Sequence, residues 1–361
     1  TAYRRQRQMC IRDRYYPQSP YLFNIIEPNL LGKIYEIFLT EQLVLLENNT
    51  IGLGKKKDCQ NRSVVTTPTE IVKYMVDKTL SKVCEGKTPS EILDISVADI
   101  ACGSGIFLEE AFAYLQDYCV QWYICNGQTD HLIETGIDLY KLPLQEKKDI
   151  LCSCIYGIDI DIHAVEVAKF SLLIKLIEDE TAPSVSEVVP ILPDLGDNIQ
   201  FGNSLVSQTE LNGISGANHQ MMEIAPFDWS TINNGCGFDV IIGNPPYVNT
   251  EGMHALLPSA EVEIYKKKYK TSHKQFDKYF IFIEQAINKI NENGLVCYIV
   301  PNKFFKIGAG EKLRNLIAKE RMLVSLDDFG DAQLFEDKTI YSSIILLSKA
   351  KQTSFVYSSV D

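Results

Sequence analysis

The sequence predicts an α/β protein in which helices cover both faces of a largely parallel β-sheet. From Ile92 onward, short apolar runs with strand character alternate with longer stretches of helical periodicity, which is typical of that class. The composition agrees, because 45% hydrophobic and 23% charged residues in a chain of 361 are ordinary for a globular protein. The length corresponds to about two domains.

Two helices are predicted before this alternation begins. Apolar residues recur at helical spacing over residues 30–47, and the polar stretch 48–63 predicts a loop. In Thr67-Pro68-Thr69-Glu70, threonine at the N-cap, proline at the first helical position and glutamate at the third form a capping box. The second helix should therefore run from about Pro68 to about Val83.

Strands and helices follow in turn through the rest of the chain. Strands are predicted over residues 95–101, 155–160, 238–242, 295–300, 323–329 and 340–347. Helices are predicted near residues 105–124, 162–178, 276–292 and 309–320. Residues 181–235 are richer in proline, glycine, asparagine and serine, so mainly loops with short elements are expected there.

The charge balance limits the classes of partner. With 35 basic and 47 acidic residues the net charge is -12, which excludes a generally basic nucleic-acid binder but allows a locally basic groove. No apolar run is long enough to span a bilayer, and no apolar stretch follows the N-terminal arginines, so neither a membrane span nor a secretory signal is predicted. The ten cysteines are scattered, which favours reduced, mostly buried thiols and hence a cytoplasmic location. No pair of Cys-x-x-Cys motifs has zinc spacing, and no metal site is predicted.

The first segment that carries chemistry is residues 97–108, where an apolar strand enters a Gly-x-Gly turn and then a helix. Gly103 and Gly105 would let the backbone approach a ligand closely, and the helix N-terminus offers N–H groups. A dinucleotide site would require a third glycine where Leu108 stands, and no Gly-Lys-Ser/Thr sequence follows. NAD, FAD and a P-loop are therefore disfavoured, and a tight turn without a ligand is the alternative.

The second segment, Tyr156-Gly157-Ile158-Asp159-Ile160-Asp161, ends the next strand of the alternation. An acid at this position suits the two ribose hydroxyls of a ligand held by the first loop. Asp161 fits better as the N-cap of the helix that follows. A cap or turn is also the alternative role for Asp159.

The third segment is the most specific, because the apolar strand 238–243 delivers Asn244-Pro245-Pro246-Tyr247 at its carboxyl end. Ligands bind at that end of strands in open α/β sheets, and the two prolines restrict the backbone. The Asn244 side-chain oxygen and the Pro245 carbonyl are two acceptors that suit an amino group about to become nucleophilic. Tyr247 could stack on the ring that carries this amino group.

The ordered set resembles S-adenosylmethionine-dependent DNA methyltransferases, specifically N6-adenine enzymes with the gamma motif order of bacterial restriction–modification systems. The cofactor loop precedes Asn-Pro-Pro-Tyr, and the Thr67-Pro68 helix precedes both. Leu31-Gly32-Lys33-Ile34-Tyr35-Glu36 followed by Thr66-Thr67-Pro68 is similar to the entry into fused, type IIG-like polypeptides. The resemblance covers about residues 30–348 and implies a class I, Rossmann-like methyltransferase fold with a mostly parallel seven-stranded sheet.

The resemblance also implies the roles of individual residues. The methionine moiety of S-adenosylmethionine would contact Thr67, Asp99, Ala101, Cys102, Gly103 and Gly105. Asp159 would hold the ribose hydroxyls and Ile160 would pack against the cofactor's adenine. Asn203 would recognise the amino group of that adenine, although the family more often has aspartate at this position. The catalytic residues would be Asn244, Pro245, Pro246 and Tyr247.

Two further sets of residues could contact DNA. Phe335 matches an aromatic residue that stacks on the flipped target base, and a core aromatic is an equally good interpretation. Residues 264–280 interleave lysines with aromatic side chains. Such a run usually forms a solvated loop, and beside a DNA cleft it could contact phosphates. The lysines concerned are Lys266, Lys267, Lys268 and Lys270.

The predicted organisation follows from the resemblance. Residues 1–20 have no amphipathic period and are expected to be unreliable or disordered, 21–64 to form a helical lead-in and linker, and 65–350 the methyltransferase domain. Residues 351–361 would begin a connection to a target-recognition domain. Double-stranded DNA is the expected partner, together with a target-recognition domain or specificity subunit and a nuclease domain.

Two other functions stay open at this point. Asn-Pro-Pro-Tyr also occurs in methyltransferases that act on protein glutamine or on RNA, but these lack the early Leu31–Glu36 and Thr67 elements in this arrangement. The other alternative is a non-catalytic DNA-binding module of a restriction complex. The recognition sequence, the oligomeric state and the activity of this chain alone do not follow from the sequence.

Overall fold

The computed structural model describes residues 67–180, 188–214, 220–335 and 340–359, and the backbone of two strands at 41–45 and 51–55. In chain order the strands are β1 (Glu41–Leu45), β2 (Ile51–Lys55), β3 (Val97–Asp99), β4 (Ile133–Gly136), β5 (Leu139–Lys141), β6 (Ile155–Asp159), β7 (Ile199–Phe201), β8 (Phe238–Gly243), β9 (Ile290–Pro301), β10 (Leu323–Gln333), β11 (Tyr341–Ser348) and β12 (Val356–Ser359).

Helices connect most of the strands. In chain order they are α1 (Thr69–Cys84), α2 (Pro89–Ile92), α3 (Ile106–Cys125), α4 (Leu144–Cys154), α5 (Ile162–Ile177), α6 (Gln208–Asn212), α7 (Met221–Ile224), α8 (Thr250–Leu256), α9 (Ser259–Lys268), α10 (Lys278–Lys289) and α11 (Glu311–Lys319). Within the described ranges, no helix combines the length and the apolarity needed to cross a membrane.

Eight of the described strands form one sheet in the order β7-β6-β3-β8-β9-β11-β10-β12. Neighbours are parallel throughout, except that β11 runs antiparallel to both β9 and β10. Seven of these strands correspond to the expected seven-stranded sheet, and β12 adds an eighth at the edge beside β10. The prediction of a mostly parallel sheet is therefore confirmed.

Successive side chains of the central strands face opposite sides of the sheet and divide the core into two clusters. Val97 and Val240 belong to the cluster beneath α1, α3 and α5, whereas their neighbours Ala98 and Ile241 belong to the cluster covered by α9 and α10. Both faces are thus buried, which explains why these strands are almost continuously apolar in sequence.

All six predicted strands and the four helices predicted after residue 100 are present, with shifts of a few residues at their ends. Other described elements were not individually predicted, among them α4, β7 and α9. The helix α4 has a polar sequence, the strand β7 is only three residues long, and α9 lies in the lysine-rich segment that was expected to be a loop.

The early elements differ from the prediction. Residues 41–45, expected in a helix, form β1, and it pairs antiparallel with β2, which lies in the expected loop 48–63. The sequence between them contains Asn48 and Asn49, which favour turns and permit the two strands to pair. Residues 30–40, including Leu31–Glu36, lie outside the described residues, as do residues 1–20.

The predicted capping box at Thr67 is not formed. Pro68 has extended dihedral angles (φ -56°, ψ 140°) and occupies the N-cap itself, so α1 begins at Thr69, one residue later than expected. The threonine side chain is therefore not needed as a cap and has a different partner, described below. A capping box does form nearby, between Thr88 and Glu91 at the start of α2.

Candidate active site

The predicted site residues converge because β6, β3 and β8 are adjacent and parallel. Their carboxyl ends meet at one edge of the sheet, so Asp159, Asp99 and Asn244 come together although they are far apart in sequence. The sequence predicted that these residues follow strands, and the resemblance to the methyltransferase family grouped them in one site.

The loop after β3 is held in place by backbone conformation and close packing. Gly103 and Gly105 have φ values of 53° and 92°, in the region that glycine adopts without strain. A Cβ on Gly105 would lie 3.0 Å from the Ala168 Cβ of α5, so the loop packs directly on that helix. A Cβ on Gly103 would meet nothing within 4 Å, so space for a ligand lies in front of this residue.

Asp159 connects β6 to this loop. Its carboxylate accepts hydrogen bonds from Gly103 N and Asp161 N, both at 2.8 Å. Burial raises the pKa of Asp159, and these N–H donors oppose the shift. Asp161 caps α5 by accepting a bond from His163 N at 2.9 Å, as predicted. Ile160, between the two acids, is 45% exposed and offers an apolar surface beside the loop.

Asp99 is buried beneath the same loop. Its Oδ1 accepts a hydrogen bond from Ala101 N at 3.0 Å. Burial raises the pKa of Asp99 to about 8, and the neighbouring charge of Asp159 adds to the shift. The carboxyl group lies against the end of β8, where a Cβ on Gly243 would be 2.6 Å from Oδ1. The glycine before Asn244 is therefore required by the position of Asp99. Cys102 beside them is also buried.

Asn244 is joined to the start of α1. Its Nδ2 donates a hydrogen bond to Thr67 Oγ1 at 3.1 Å, although 177 positions separate the two residues. Since the amide nitrogen faces Thr67, the side-chain oxygen is presented in another direction as an acceptor. Thr67 is 4% exposed and positions the asparagine, a role that its place in the sequence did not reveal.

Tyr247 is oriented through both its hydroxyl and its ring. The hydroxyl donates to Ile299 O of β9 at 2.8 Å. The ring packs edge-on against Tyr279 with centroids 5.9 Å apart. Pro245 is buried, and Asn244, Pro246 and Tyr247 are half-buried. The tyrosine thereby acquires a fixed ring plane at the carboxyl end of β8.

Asn203 follows β7 next to Asp159, because Gly202 N donates to Asp159 O at 2.8 Å. Asn203 is buried, and both ends of its amide have partners. Its Oδ1 accepts from Leu205 N at 3.1 Å, and its Nδ2 donates to Glu261 Oε1 of α9 at 2.9 Å. Sequence analysis missed Glu261. The available signal was an acidic residue four positions before Tyr265, on the buried face of a helix that was not predicted.

Phe335 does not join this assembly. It is 2% exposed and belongs to the core cluster beneath α1 and α3. Stacking on a base requires an accessible ring face, which a side chain packed in the core does not offer. The assignment of Phe335 to base stacking is therefore corrected, and the alternative of a core aromatic holds.

The lysine-rich segment is helical at its two ends, over residues 264–268 and 278–280, and forms a loop between them. Its aromatic residues Tyr265, Tyr269, Phe276 and Tyr279 are all buried in the core. Lys268 donates to Leu205 O at 3.0 Å and pairs with Glu210 at 3.0 Å, so it serves the fold. Lys267 pairs with Glu263 one helical turn away at 2.6 Å. Lys266 and Lys270 are exposed.

Comparison with known proteins identifies the family to which this chain belongs. The profile of the Eco57I restriction-modification methylase family matches residues 153–335. The type II restriction enzyme and methyltransferase RM.Eco57I of Escherichia coli is 43% identical over 347 residues, which are 96% of this chain and 34% of that enzyme. This chain therefore spans about a third of the length of that relative.

Solved structures show the same fold at low sequence identity. The DrdV–DNA complex, studied by cryo-EM, superposes with a TM-score of 0.60 at 15% identity, over 98% of this chain and 33% of the other. The type IIL restriction-modification enzyme MmeI, in complex with DNA, gives a TM-score of 0.57 at 15% identity, over 93% and 42% of the two chains. The class I methyltransferase fold expected from the sequence is confirmed.

Proposed function

Because the chain belongs to the Eco57I restriction-modification methylase family, we propose that it transfers a methyl group from S-adenosylmethionine to N6 of adenine in double-stranded DNA, as part of a restriction–modification system. The observation that carries the proposal is the placement of Asn244-Pro245-Pro246-Tyr247 at the carboxyl end of β8, next to the Gly103 loop and Asp159. Neither element alone would support this reaction. The Gly103 loop with Asp159 suits a cofactor, whereas Asn244-Pro245-Pro246-Tyr247 suits the amino group that is methylated.

The residues around the loop fit S-adenosylmethionine. The space in front of Gly103 admits a ligand that a side chain there would obstruct. In our proposal Asp159 binds the ribose hydroxyls, the exposed Ile160 packs against the adenine, and Asn203 recognises its amino group. The methionine moiety would lie along Asp99, Ala101, Cys102, Gly103 and Gly105. Its ammonium group would favour the ionised form of Asp99.

The target amino group would be held by Asn244 and Pro245. The Asn244 Oδ1 and the Pro245 carbonyl oxygen accept hydrogen bonds from N6 and orient its lone pair, while the Tyr247 ring stacks on the adenine. The sulfonium of the cofactor supplies the methyl group. The base must first leave the duplex, at a cost of a few kcal/mol. Positioning of the two reactants then provides most of the rate enhancement.

Further partners are part of the proposal. Since the chain spans 34% of the length of RM.Eco57I, target recognition and cleavage would need other segments or subunits. We propose a target-recognition domain or specificity subunit, and a nuclease domain, as those partners. Among the lysines of the 264–280 segment, the exposed Lys266 and Lys270 are the candidates for contact with DNA phosphates.

The experiment is methyl transfer from labelled S-adenosylmethionine to mixed-sequence duplex DNA, with the product nucleosides identified by mass spectrometry. We expect N6-methyladenine. N4-methylcytosine would contradict the adenine assignment and leave the site intact. If the cofactor binds but no DNA product forms even after addition of the native flanking sequence, the substrate is protein or RNA and the proposal of DNA modification is wrong.

A further inference from the structure

A buried carboxylate holds the side chain of Asn203. Glu261, on α9, is 1% exposed, and its Oε1 lies 2.9 Å from Asn203 Nδ2. The same oxygen accepts a hydrogen bond from the Tyr265 hydroxyl. The Lys278 ammonium lies 3.9 Å away and balances part of the buried negative charge. An ionised carboxylate in the core is costly, so its retention beside a cofactor residue requires an explanation.

The carboxylate determines which way the Asn203 amide points. An ionised carboxylate can only accept hydrogen bonds, so the amide nitrogen must face Glu261. The Asn203 Oδ1 then faces the other side, where it accepts a bond from Leu205 N at 3.1 Å. A carbonyl oxygen has two lone pairs and can accept a second bond there. Without Glu261, the Leu205 N–H alone would favour this orientation of the amide.

Glu261 also accounts for the departure from the aspartate usual at position 203. An aspartate there would place its carboxylate within hydrogen-bond distance of Glu261, and two buried negative charges repel each other. Asparagine keeps one acceptor and replaces the other oxygen by a donor that Glu261 can bind. The pair Asn203–Glu261 thus offers the same single acceptor that an aspartate would offer alone.

We propose that Glu261 is a positioning residue of the cofactor site, which fixes the Asn203 amide so that its Oδ1 accepts a hydrogen bond from the adenine amino group of the cofactor. This inference rests on the proposed function, because it takes S-adenosylmethionine as the ligand. It adds a residue from α9, outside the loops that ordinarily supply the contacts to this cofactor.

The first test exchanges the amide at position 203 and the carboxylate at position 261. Asn203→Asp should weaken binding of S-adenosylhomocysteine about tenfold, as expected for a coupled buried pair. The double variant Asn203→Asp with Glu261→Gln should restore the affinity to within about threefold of the parent, since the introduced glutamine amide can donate to the introduced aspartate. Calorimetry measures both. A double variant that binds no better than Asn203→Asp overturns the proposal.

The second test reads the orientation of the amide. S-inosylhomocysteine carries a carbonyl oxygen in place of the adenine amino group, so the parent should prefer the adenosyl ligand. Glu261→Leu removes the acceptor and should reduce this preference, since only the Leu205 N–H then orients the amide, whereas Glu261→Gln should retain it because its amide oxygen can accept the same bonds. Equal weakening of both ligands by Glu261→Leu would indicate a merely structural role and overturn the proposal.

Glu284 provides the matched control. It is 7% exposed on α10, and its carboxylate accepts bonds from Lys270 N and Thr271 N at 3.0 and 2.9 Å. Glu284→Gln should leave the ligand preference unchanged. A parent chain that binds neither ligand contradicts the cofactor assignment itself. A parent that binds S-adenosylhomocysteine while the exchange at 203 and 261 has no effect contradicts only the role of Glu261.

Discussion

Asn244 receives its orientation from a residue at the start of the first described helix. Its Nδ2 donates to Thr67, and its oxygen is thereby aimed away from α1 as an acceptor. Thr67 was expected to cap a helix and to contact the cofactor, and the structure adds this hydrogen bond to Asn244. Thr67 and Asn244, which are distant in the sequence, thus act as one unit in the proposed reaction.

Replacement of Asn244 should separate chemistry from cofactor binding. Asn244→Ala removes one of the two acceptors for N6, so methyl transfer should fall by at least about a hundredfold, the usual effect of losing one preorganised hydrogen bond. Binding of S-adenosylhomocysteine, measured by calorimetry, should stay within about twofold of the parent, because the proposed role of Asn244 is to hold the target base rather than the cofactor. Retained methylation would remove Asn244 from the mechanism.

Asp99 should make stability depend on pH. In the folded chain it keeps its proton up to about pH 8, because burial raises its pKa, whereas in the unfolded chain it releases the proton near pH ~3.9. Between these values the folded state binds more protons, so this group lowers the stability as the pH rises. Asp99→Asn cannot ionise and can still accept the Ala101 N–H. The variant's melting temperature should therefore fall less than the parent's between about pH 5 and about pH 8. Parallel curves would contradict the buried, neutral state of Asp99.

At the scale of elements, β8 and its neighbour β3 are fitted to each other at their carboxyl ends. The absence of a side chain at Gly243 leaves room for the Asp99 carboxyl group, and that group in turn supports the Ala101 backbone. The sequence Ile242-Gly243-Asn244 therefore serves packing as well as the proposed reaction. Local propensity did not reveal this packing role, because glycine inside a strand ordinarily only weakens the strand.

Gly243→Ala tests this fit. The new Cβ would lie 2.6 Å from Asp99 Oδ1, so we expect a loss of about 1–3 kcal/mol in the free energy of unfolding, as for other overpacked sites. Cofactor affinity should fall with it because Asp99 and the loop must move. Gly308→Ala is the control, since its Cβ would meet only the end of Lys274 at 3.9 Å. Equal behaviour of the two variants in urea unfolding and calorimetry would disprove the argument.

At the scale of the whole molecule, the proposed reaction would bring an acidic chain to a polyanion. The net charge of -12 opposes binding to DNA, so local lysines near the site would have to compensate. The structure divides the lysine-rich segment into Lys268, which serves the fold through Leu205 and Glu210, and exposed residues such as Lys266 and Lys270. Only the exposed ones are candidates for phosphate contacts.

Substitution of Lys266 and Lys270 by alanine should weaken DNA binding by a similar factor for every sequence. The slope of log K against log salt should decrease by about one for each phosphate that the variant no longer neutralises. Lys82→Ala is the control, because this exposed lysine lies in the last turn of α1, at the opposite end of that helix from Thr67 and Asn244. Fluorescence anisotropy over a salt series measures the slopes. If Lys82→Ala has the same effect, the lysines act only through net charge.

The sequence by itself determined the α/β class, the positions of the main strands along the chain, and the place of Asn244-Pro245-Pro246-Tyr247 directly after one of them. These depend on local periodicity and backbone chemistry, which neighbouring residues carry. It did not determine the strand at 41–45, whose residues also suit a helix, or α9, where three consecutive lysines follow a short buried face. Only the tertiary structure decided the burial of Phe335 and the bonds Asn244–Thr67 and Asn203–Glu261. Each of these interactions joins residues distant in the chain, and such interactions exist only once the sheet has brought the strand ends together.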